Sequence, residues 1–160
     1  MNLLKQKYKW FIIAIIIIAV DLITKHLANA ELNYGYSVEV LPFFDLTLLY
    51  NHGAAFSFLS DDQTSWQLIM FSMISLTASI VLTVMIIKEK TSTLKLTAYA
   101  LILGGALGNF YDRAFQGFVI DFLDFHIGEH HWPAFNIADS AITVGVALII
   151  IQSLFFSKDK

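Results

Sequence analysis

Residues 66–87 read WQLIMFSMISLTASIVLTVMII, a stretch of 22 residues without a charged side chain. A helix that crosses the hydrocarbon core of a bilayer needs about 20 predominantly apolar residues, so this segment predicts a transmembrane helix. The whole chain has a matching composition. Of its 160 residues, 57% are hydrophobic and only 14% are charged, whereas a soluble domain carries about 25% charged residues. The sequence therefore predicts a small α-helical integral membrane protein.

The composition also excludes several other classes of protein. The absence of cysteine excludes a disulfide scaffold, a thiolate metal site and a cysteine nucleophile. The abundance of Phe, Ile, Leu and Val excludes a disordered chain. Ten Lys and Arg residues against thirteen Asp and Glu residues give a net charge of −3. That charge argues against nucleic acid as a partner.

Three more stretches have the character of a membrane span. The four predicted spans are residues 8–27, 66–87, 95–111 and 139–157, and two long segments, 28–65 and 112–138, connect them. The third and fourth spans are short, with sixteen uncharged residues between Lys95 and Asp112 and eighteen between Asp139 and Lys158. Charged ends of such short spans should lie at the membrane boundary. We expect one membrane-embedded domain over residues 1–160, with four transmembrane helices.

Basic residues are distributed unevenly along the chain. Three lysines lie near the N-terminus, three lie in segment 88–95 and two lie near the C-terminus, whereas the two long segments contain only Arg113. Because cytoplasmic loops carry the excess of Lys and Arg, both termini should be cytoplasmic and both long segments should face outside. The start of the chain also imitates a cleaved signal peptide. Asp21 and Lys25 make that segment too long and too charged, so a retained first helix is predicted.

The first outer segment has the pattern of a small sheet. Residues 37–40 and 45–48 alternate between polar and apolar side chains, and Pro42 separates the two runs. Such short runs predict strands, here a small extracytoplasmic β-sheet on the membrane surface. Aromatic side chains near the spans predict an interfacial belt. They are Phe43, Phe44, Phe56, Phe58 and Trp66.

Two acidic residues, Asp121 and Asp139, bracket one outer loop, with Asp139 at the start of the fourth span, and both have apolar neighbours. Ionisable groups at membrane depth are costly and are usually functional. Two carboxylates within hydrogen-bonding distance cannot both ionise, so one keeps its proton while the other activates a water, as in aspartic proteases. In the alternative interpretation, Asp139 caps the last helix and Asp121 is a solvated loop acid. We expect a non-helical path through this segment, which places Asp124 on the face opposite to Asp121 if the two lie in a strand.

Other local patterns allow different functions. His126-Ile127-Gly128-Glu129-His130 matches the inverted zincin motif, which would make the chain a zinc-dependent membrane protease. That motif needs a helix, which Gly128 and Pro133 disfavour. A small channel or transporter subunit with intramembrane acids is a further alternative.

Two patterns within the spans indicate helix packing. Asp21 and Lys25 are four residues apart in the first span, and this spacing predicts an ion pair on one helix face. Gly104 and Gly108 form a G-x-x-x-G pattern in the third span. We expect these glycines to allow close approach of a neighbouring helix.

Five segments together resemble the motifs of the bacterial lipoprotein signal peptidase family, also called type II signal peptidase. They are residues 20–25, 50–57, 104–109 followed by Asp112-Arg113, 119–122 and 135–140. The resemblance covers the whole chain, and His52 stands where the family often has threonine. Four spans with both termini in the cytoplasm is also the topology of that family.

This resemblance implies an aspartic endopeptidase of the bacterial cytoplasmic (inner) membrane, with its active site near the outer face. The implied reaction removes signal peptides from diacylglyceryl-modified prolipoproteins just before the lipidated cysteine, without a metal or another cofactor. Asp121 and Asp139 match the catalytic pair. The matching substrate- and inhibitor-binding residues are Asn51, Asn109, Arg113 and Asn136, and the supporting residues are Asp21, Lys25, Asp112, Gly104 and Gly108. The implied partners are the prolipoprotein, membrane lipid and a globomycin-type cyclic peptide inhibitor.

Overall fold

Four helices and four strands make up the fold in a computed structural model, which describes residues 3–53 and 65–155. In chain order they are α1 (Leu3–Glu31), β1 (Ser37–Leu41), β2 (Phe44–Asn51), α2 (Ser65–Lys88), α3 (Thr93–Phe115), β3 (Val119–Ile127), β4 (His130–His131) and α4 (Ile137–Phe155). Phe56 and Phe58 of the predicted aromatic belt lie outside the described residues. Phe43 and Trp66 of that belt are exposed.

Three of the described helices are long and apolar enough to cross a membrane. The candidate spans are Lys7–Glu31 in α1, Trp66–Lys88 in α2 and Ile137–Phe155 in α4. Helix α3 has 23 residues, about half of them buried, and it does not meet the same criterion of apolarity. The predicted spans in α1, α2 and α4 therefore agree with the structure, whereas a fourth span in α3 stays a prediction.

Helix α3 packs closely against its neighbours through glycine. A Cβ atom added at Gly104 would lie 2.7 Å from the Cβ atom of Ile17 in α1. One added at Gly108 would lie 2.6 Å from a carboxylate oxygen of Asp21, also in α1. One added at Gly105 would overlap a backbone carbonyl of α4. These contacts confirm the close packing predicted from the G-x-x-x-G pattern.

The helix bundle and the sheet have separate apolar clusters. Side chains of α1, α2 and α3 form the larger cluster, which consists of Trp10, Ala14, Leu82, Ile86, Leu96, Tyr99, Ala100 and Leu103. The smaller cluster joins the C-terminal end of α1 to the sheet and consists of Ala28, Leu48, Ile120 and Phe122. This second cluster fixes β3 against the end of α1.

The strands form one antiparallel sheet in the order β1-β2-β3-β4. Strands β1 and β2 confirm the two runs predicted in the first outer segment. The second outer segment adds β3, in which Leu123 pairs with Leu46 of β2 and Asp121 pairs with Leu49. The pairing register shifts between Leu46 and Leu49 of β2, a bulge that leaves β3 regular. Asp121 and Asp124 therefore point to opposite faces of β3, which confirms the expected non-helical path.

The third helix was predicted to end at the charged residues that follow residue 111, and this prediction is wrong. Helix α3 continues through Asp112 and Arg113 to Phe115, so these two residues at the start of the predicted outer segment lie in the last turns of the helix. Charge marks the membrane boundary, but it does not break a helix. The helix ends before Gly117, whose φ of 82° is left-handed and is favourable mainly for glycine.

Candidate active site

Buried polar side chains gather where the C-terminal part of α1, the end of α3, β3 and the start of α4 meet. Their exposed fractions are all 5% or less. They are Asp21, Lys25, Asn109, Asp112, Asp121 and Asn136. Buried polar groups need hydrogen-bond partners, and charged ones also need compensation.

Asp121 receives one amide hydrogen bond on each carboxylate oxygen. The Nδ2 atom of Asn136 donates to Oδ1 at 2.7 Å, and the Nδ2 atom of Asn51 donates to Oδ2 at 2.9 Å. Asn51 is fixed in turn because its Oδ1 atom accepts the backbone N–H of Gly53 at 2.8 Å. Burial, followed by the nearby Asp139 carboxylate, raises the pKa of Asp121 to about 7, although the two amide hydrogen bonds lower it.

Asp139 is the third residue of α4 and does not cap that helix. Its backbone N–H donates to Oδ1 of Asn136 at 2.9 Å, and its Oδ2 atom accepts the backbone N–H of Asn136 at 3.2 Å. This reciprocal pair is a capping box with Asn136 as the N-cap, so the interpretation of Asp139 as the cap is wrong. A carboxylate in the first helical turn is stabilised by the helix dipole. The other carboxylate oxygen of Asp139, Oδ1, accepts a hydrogen bond from Nδ2 of Asn109 at 2.7 Å.

Asn136 joins the two carboxylates, because its side chain donates to Asp121 and its backbone donates to Asp139. Each of the four carboxylate oxygens thus accepts one N–H, and every donor is neutral. Because these direct donors carry no charge, they do not neutralise the second negative charge of the pair, which favours retention of one proton between the two acids. The arrangement is chemically able to provide one acid and one base at a single site.

An ionic cluster lies next to this pair. The Nζ atom of Lys25 lies 2.7 Å from Oδ2 of Asp21, 2.8 Å from Oδ2 of Asp112 and 2.9 Å from Oδ1 of Asn109. The pair of Asp21 and Lys25 confirms the prediction from their spacing. The partners in α3 were not predicted, since they lie far away in sequence. Asp21 also accepts the backbone N–H of Ala138 at 2.8 Å, which connects α1 to the start of α4.

Arg113 lies beside the same site on the last turn of α3. Its side chain is half-buried, with the guanidinium carbon 5.5 Å from the ring centre of Phe71 in α2. One nitrogen, Nη1, donates to the backbone carbonyl of Asn109 at 3.4 Å. The Nε atom is buried and has no acceptor within residues 3–53 and 65–155. Phe71 was not singled out from the sequence, where it is one aromatic residue in an apolar run.

Asp124, His126 and His131 of the second outer segment lie on the other face of the sheet. The Nδ1 atom of His131 lies 2.9 and 2.8 Å from the two carboxylate oxygens of Asp124. His126 stacks on His131 with ring centres 4.8 Å apart. The H-x-x-E-H motif lies on the hairpin of β3 and β4, which turns at Gly128, so the helix that this motif needs is not formed. Within the described ranges, no group of three or more candidate ligands is placed to hold a metal ion.

Known proteins are similar to this chain over almost its full length. Residues 13–155 match the model of a family described as signal peptidase (SPase) II. A lipoprotein signal peptidase of Francisella tularensis subsp. novicida (strain U112) is 68% identical over 159 residues, 99% of each chain. One of Shewanella oneidensis is 45% identical over 153 residues, which cover 95% of this chain and 89% of that protein.

The fold is also similar to that of solved proteins. A bacterial membrane enzyme solved at 2.3 Å by the in meso method has a TM-score of 0.81 and 36% identity, covering 95% of this chain and 93% of its own. A second such structure, solved at 1.9 Å, has a TM-score of 0.80 and 37% identity over 92% of this chain and 93% of that one. Family match, relatives and fold agree, and the chain belongs to the signal peptidase II family.

Proposed function

We propose that this protein is an aspartic endopeptidase that removes signal peptides from diacylglyceryl-modified prolipoproteins, cutting just before the lipidated cysteine. Family membership supports a membrane-embedded protease that processes lipoprotein precursors. The observation that carries the aspartic mechanism is the joining of Asp121 and Asp139 by Asn136. Two adjacent carboxylates that share one proton are the arrangement on which aspartic proteases depend.

The two acids have different environments, and this difference assigns their roles in the proposal. Asp139 lies in the first turn of α4 and accepts a backbone N–H, both of which favour an ionised carboxylate. Asp121 is 3% exposed on a strand and has a raised pKa. Asp121 therefore holds the proton and Asp139 is the base.

The reaction then follows from these protonation states. The Asp139 carboxylate removes a proton from a water molecule, and the oxygen of that water attacks the carbonyl carbon of the scissile peptide bond. Asp121 donates its proton to the carbonyl oxygen as the tetrahedral intermediate forms. Transfer of the proton from Asp139 to the leaving nitrogen breaks the C–N bond, and one hydroxyl proton of the intermediate returns to Asp121 as the new carboxyl group forms. The products are the free signal peptide and a new amino terminus on the cysteine.

The location of the site suits a substrate that is anchored in lipid. The acids lie where the C-terminal end of α1, the end of α3 and the N-terminal end of α4 meet the sheet. A diacylglyceryl chain holds the cysteine in the outer half of the bilayer, so its scissile bond lies near the interface. Helix α3 is about 34 Å long at 1.5 Å per residue, which supports a fourth span. With the distribution of Lys and Arg, four spans put both termini in the cytoplasm and the site near the outer face of the inner membrane.

Polar residues around the pair are proposed to hold the peptide. Asn51, Asn109 and Asn136 present amides that hydrogen-bond to a peptide or to a developing oxyanion without adding charge. The buried Nε atom of Arg113 supports a role in binding a peptide carbonyl or a lipid headgroup. A globomycin-type cyclic peptide would compete for the same groups. Membrane lipid would contact the exposed apolar faces of the spans.

The test is cleavage of a purified diacylglyceryl-modified prolipoprotein by the purified enzyme, with and without a metal chelator. We expect Asp121→Asn and Asp139→Asn each to abolish cleavage while the protein still inserts and folds. Asp124→Asn is the matched control, because it removes a carboxylate from the same strand on the opposite face. Retention of a tenth of the wild-type rate by either dyad variant, about 1.4 kcal/mol in the barrier, would contradict the proposal.

A further inference from the structure

The ionic cluster ends on one side-chain amide that also contacts the proposed catalytic pair. The Oδ1 atom of Asn109 accepts from Lys25 at 2.9 Å and from Asn136 at 3.3 Å, while its Nδ2 atom donates to Asp139 at 2.7 Å. An ammonium group has three N–H donors and no acceptor, so the amide oxygen must face Lys25. The amide nitrogen must then face Asp139.

The opposite orientation of this amide would have a different chemical consequence. If Asn109 rotated by half a turn, its oxygen would face Asp139, and that contact is favourable only when the Asp139 carboxyl is protonated and donates. The orientation that Lys25 enforces instead gives Asp139 an N–H, which stabilises an ionised carboxylate. The orientation of the Asn109 amide thus determines whether the shared proton is on Asp121 or on Asp139.

Lys25 is held firmly enough to impose this choice. Its side chain is almost fully buried and has carboxylate partners from two helices, Asp21 in α1 and Asp112 in α3. Asp112 also accepts hydrogen bonds from the side chain of Gln116 at 3.0 Å and from the backbone N–H of Ile120 at 3.4 Å, and Asp21 packs directly against Gly108, so both carboxylates are held in place. The ammonium is therefore fixed at the position from which it contacts Asn109.

We propose that Lys25 is a positioning residue that, through the amide of Asn109, keeps Asp139 ionised as the base and leaves the shared proton on Asp121. Lys25 contacts no reacting atom in this scheme. The proposal rests on the proposed function, since it assumes that Asp121 and Asp139 perform the hydrolysis. Asp139 interacts with the charges of Asp121 in β3 and Arg113 in α3. Lys25, with its partners Asp21 and Asp112, is separated from Asp139 by the amide of Asn109.

Paired substitutions can separate two effects of Lys25, namely that of its positive charge and that of its hydrogen bond on the orientation of the Asn109 amide. Lys25→Met alone removes a positive charge and leaves two carboxylates without compensation. The double variant Lys25→Met/Asp112→Asn has the same net charge as the wild type but lacks the ammonium that orients Asn109. Asp112→Asn alone is the matched control, because an asparagine oxygen still accepts from Lys25 and the bond from Lys25 to Asn109 remains.

The measurement is the dependence of kcat and KM on pH for cleavage of a diacylglyceryl-modified prolipoprotein. We expect the control Asp112→Asn to stay within about threefold of the wild-type kcat, because the amide keeps its orientation. In the double variant, kcat at neutral pH should fall at least about tenfold with little change in KM. The acidic limb of the pH–rate profile, where the base becomes protonated, should move roughly one to two pH units higher in the double variant. This shift corresponds to the loss of one hydrogen bond to a charged group.

Several outcomes would overturn the proposal. One is a folded double variant with the pH profile and kcat of the wild type, and another is a loss in Asp112→Asn as large as that in the double variant. If the double variant does not fold, the Asn109→Ala variant, in which Lys25 is intact, provides the test. If the acidic limb of its pH–rate profile is the same as in the wild type, the amide of Asn109 does not transmit the effect of Lys25. Activity in Asp121→Asn or Asp139→Asn would instead contradict the proposed function itself. If Asp121→Asn and Asp139→Asn are inactive but the Lys25 variants have the kcat and pH profile of the wild type, only this inference is contradicted.

Discussion

Replacement of Asn51 by alanine should move the alkaline limb of the pH–rate profile to higher pH. The Nδ2 atom of Asn51 donates to Oδ2 of Asp121 at 2.9 Å, and this bond favours the ionised carboxylate. Its removal should therefore raise the pKa of Asp121 above the present value of about 7. A hydrogen bond to a charged group contributes about 1.5–3 kcal/mol, or roughly one to two pH units, and the partial exposure of Asn51 favours the lower figure.

The assay is kcat/KM for a diacylglyceryl-modified prolipoprotein between pH 5 and pH 9, since this ratio reports the ionisation of the free enzyme. If Asp121 must be protonated, wild-type activity should decline above about pH 7. In Asn51→Ala the decline should begin near about pH 8. His52→Ala is the control, because that exposed neighbour has no contact with the carboxylate pair among the described residues. An unchanged limb, or one at lower pH, would refute Asp121 as the proton-bearing acid.

Four further variants test other parts of the structure. Asp124→Ala should keep most of the activity because Asp124 faces away from the site, and an inactive, stable variant would show that the wrong acid was chosen. The double variant His126→Ala/His130→Ala should still process substrate, and inhibition by a chelator that zinc reverses would contradict this. Gly105→Ala should lower the free energy of unfolding by about 1–3 kcal/mol, seen as a lower Tm, because its Cβ would overlap a carbonyl of α4. Arg113→Ala should weaken substrate or cyclic-peptide binding by about 1.5–3 kcal/mol, and binding as in the wild type would make Arg113 structural.

Local patterns were sufficient to predict three apolar helices and the first two strands. Helices α1, α2 and α4 follow uninterrupted apolar runs, and the ion pair of Asp21 and Lys25 follows from a spacing of one helical turn. The length of α3 was not predicted correctly, because Asp112 and Arg113 signal the membrane boundary while the helix continues to the next glycine.

The parts that were missed depend on contacts between distant segments. Lys25 joins Asp112 and Asn109 only after α1 and α3 have packed, and no spacing within the sequence shows that contact. The capping box was different. Asn136 precedes Asp139 by three residues, a spacing typical of this motif at the start of a helix, so a local signal for Asn136 as the N-cap was present.

The choice of amides rather than cations around Asp121 and Asp139 has a chemical reason. An ammonium or guanidinium in direct contact would compensate the second negative charge, and both carboxylates would ionise at neutral pH. In the described part of the chain, neither Lys25 nor Arg113 forms an ion pair with these two acids, since Lys25 contacts Asn109 and Arg113 donates to a backbone carbonyl. Asparagine side chains supply the N–H donors that buried oxygens require without adding charge. In the proposed mechanism the pair thereby keeps the single proton that hydrolysis by an acid and a base needs, while Lys25 and Arg113 act on it electrostatically without direct contact.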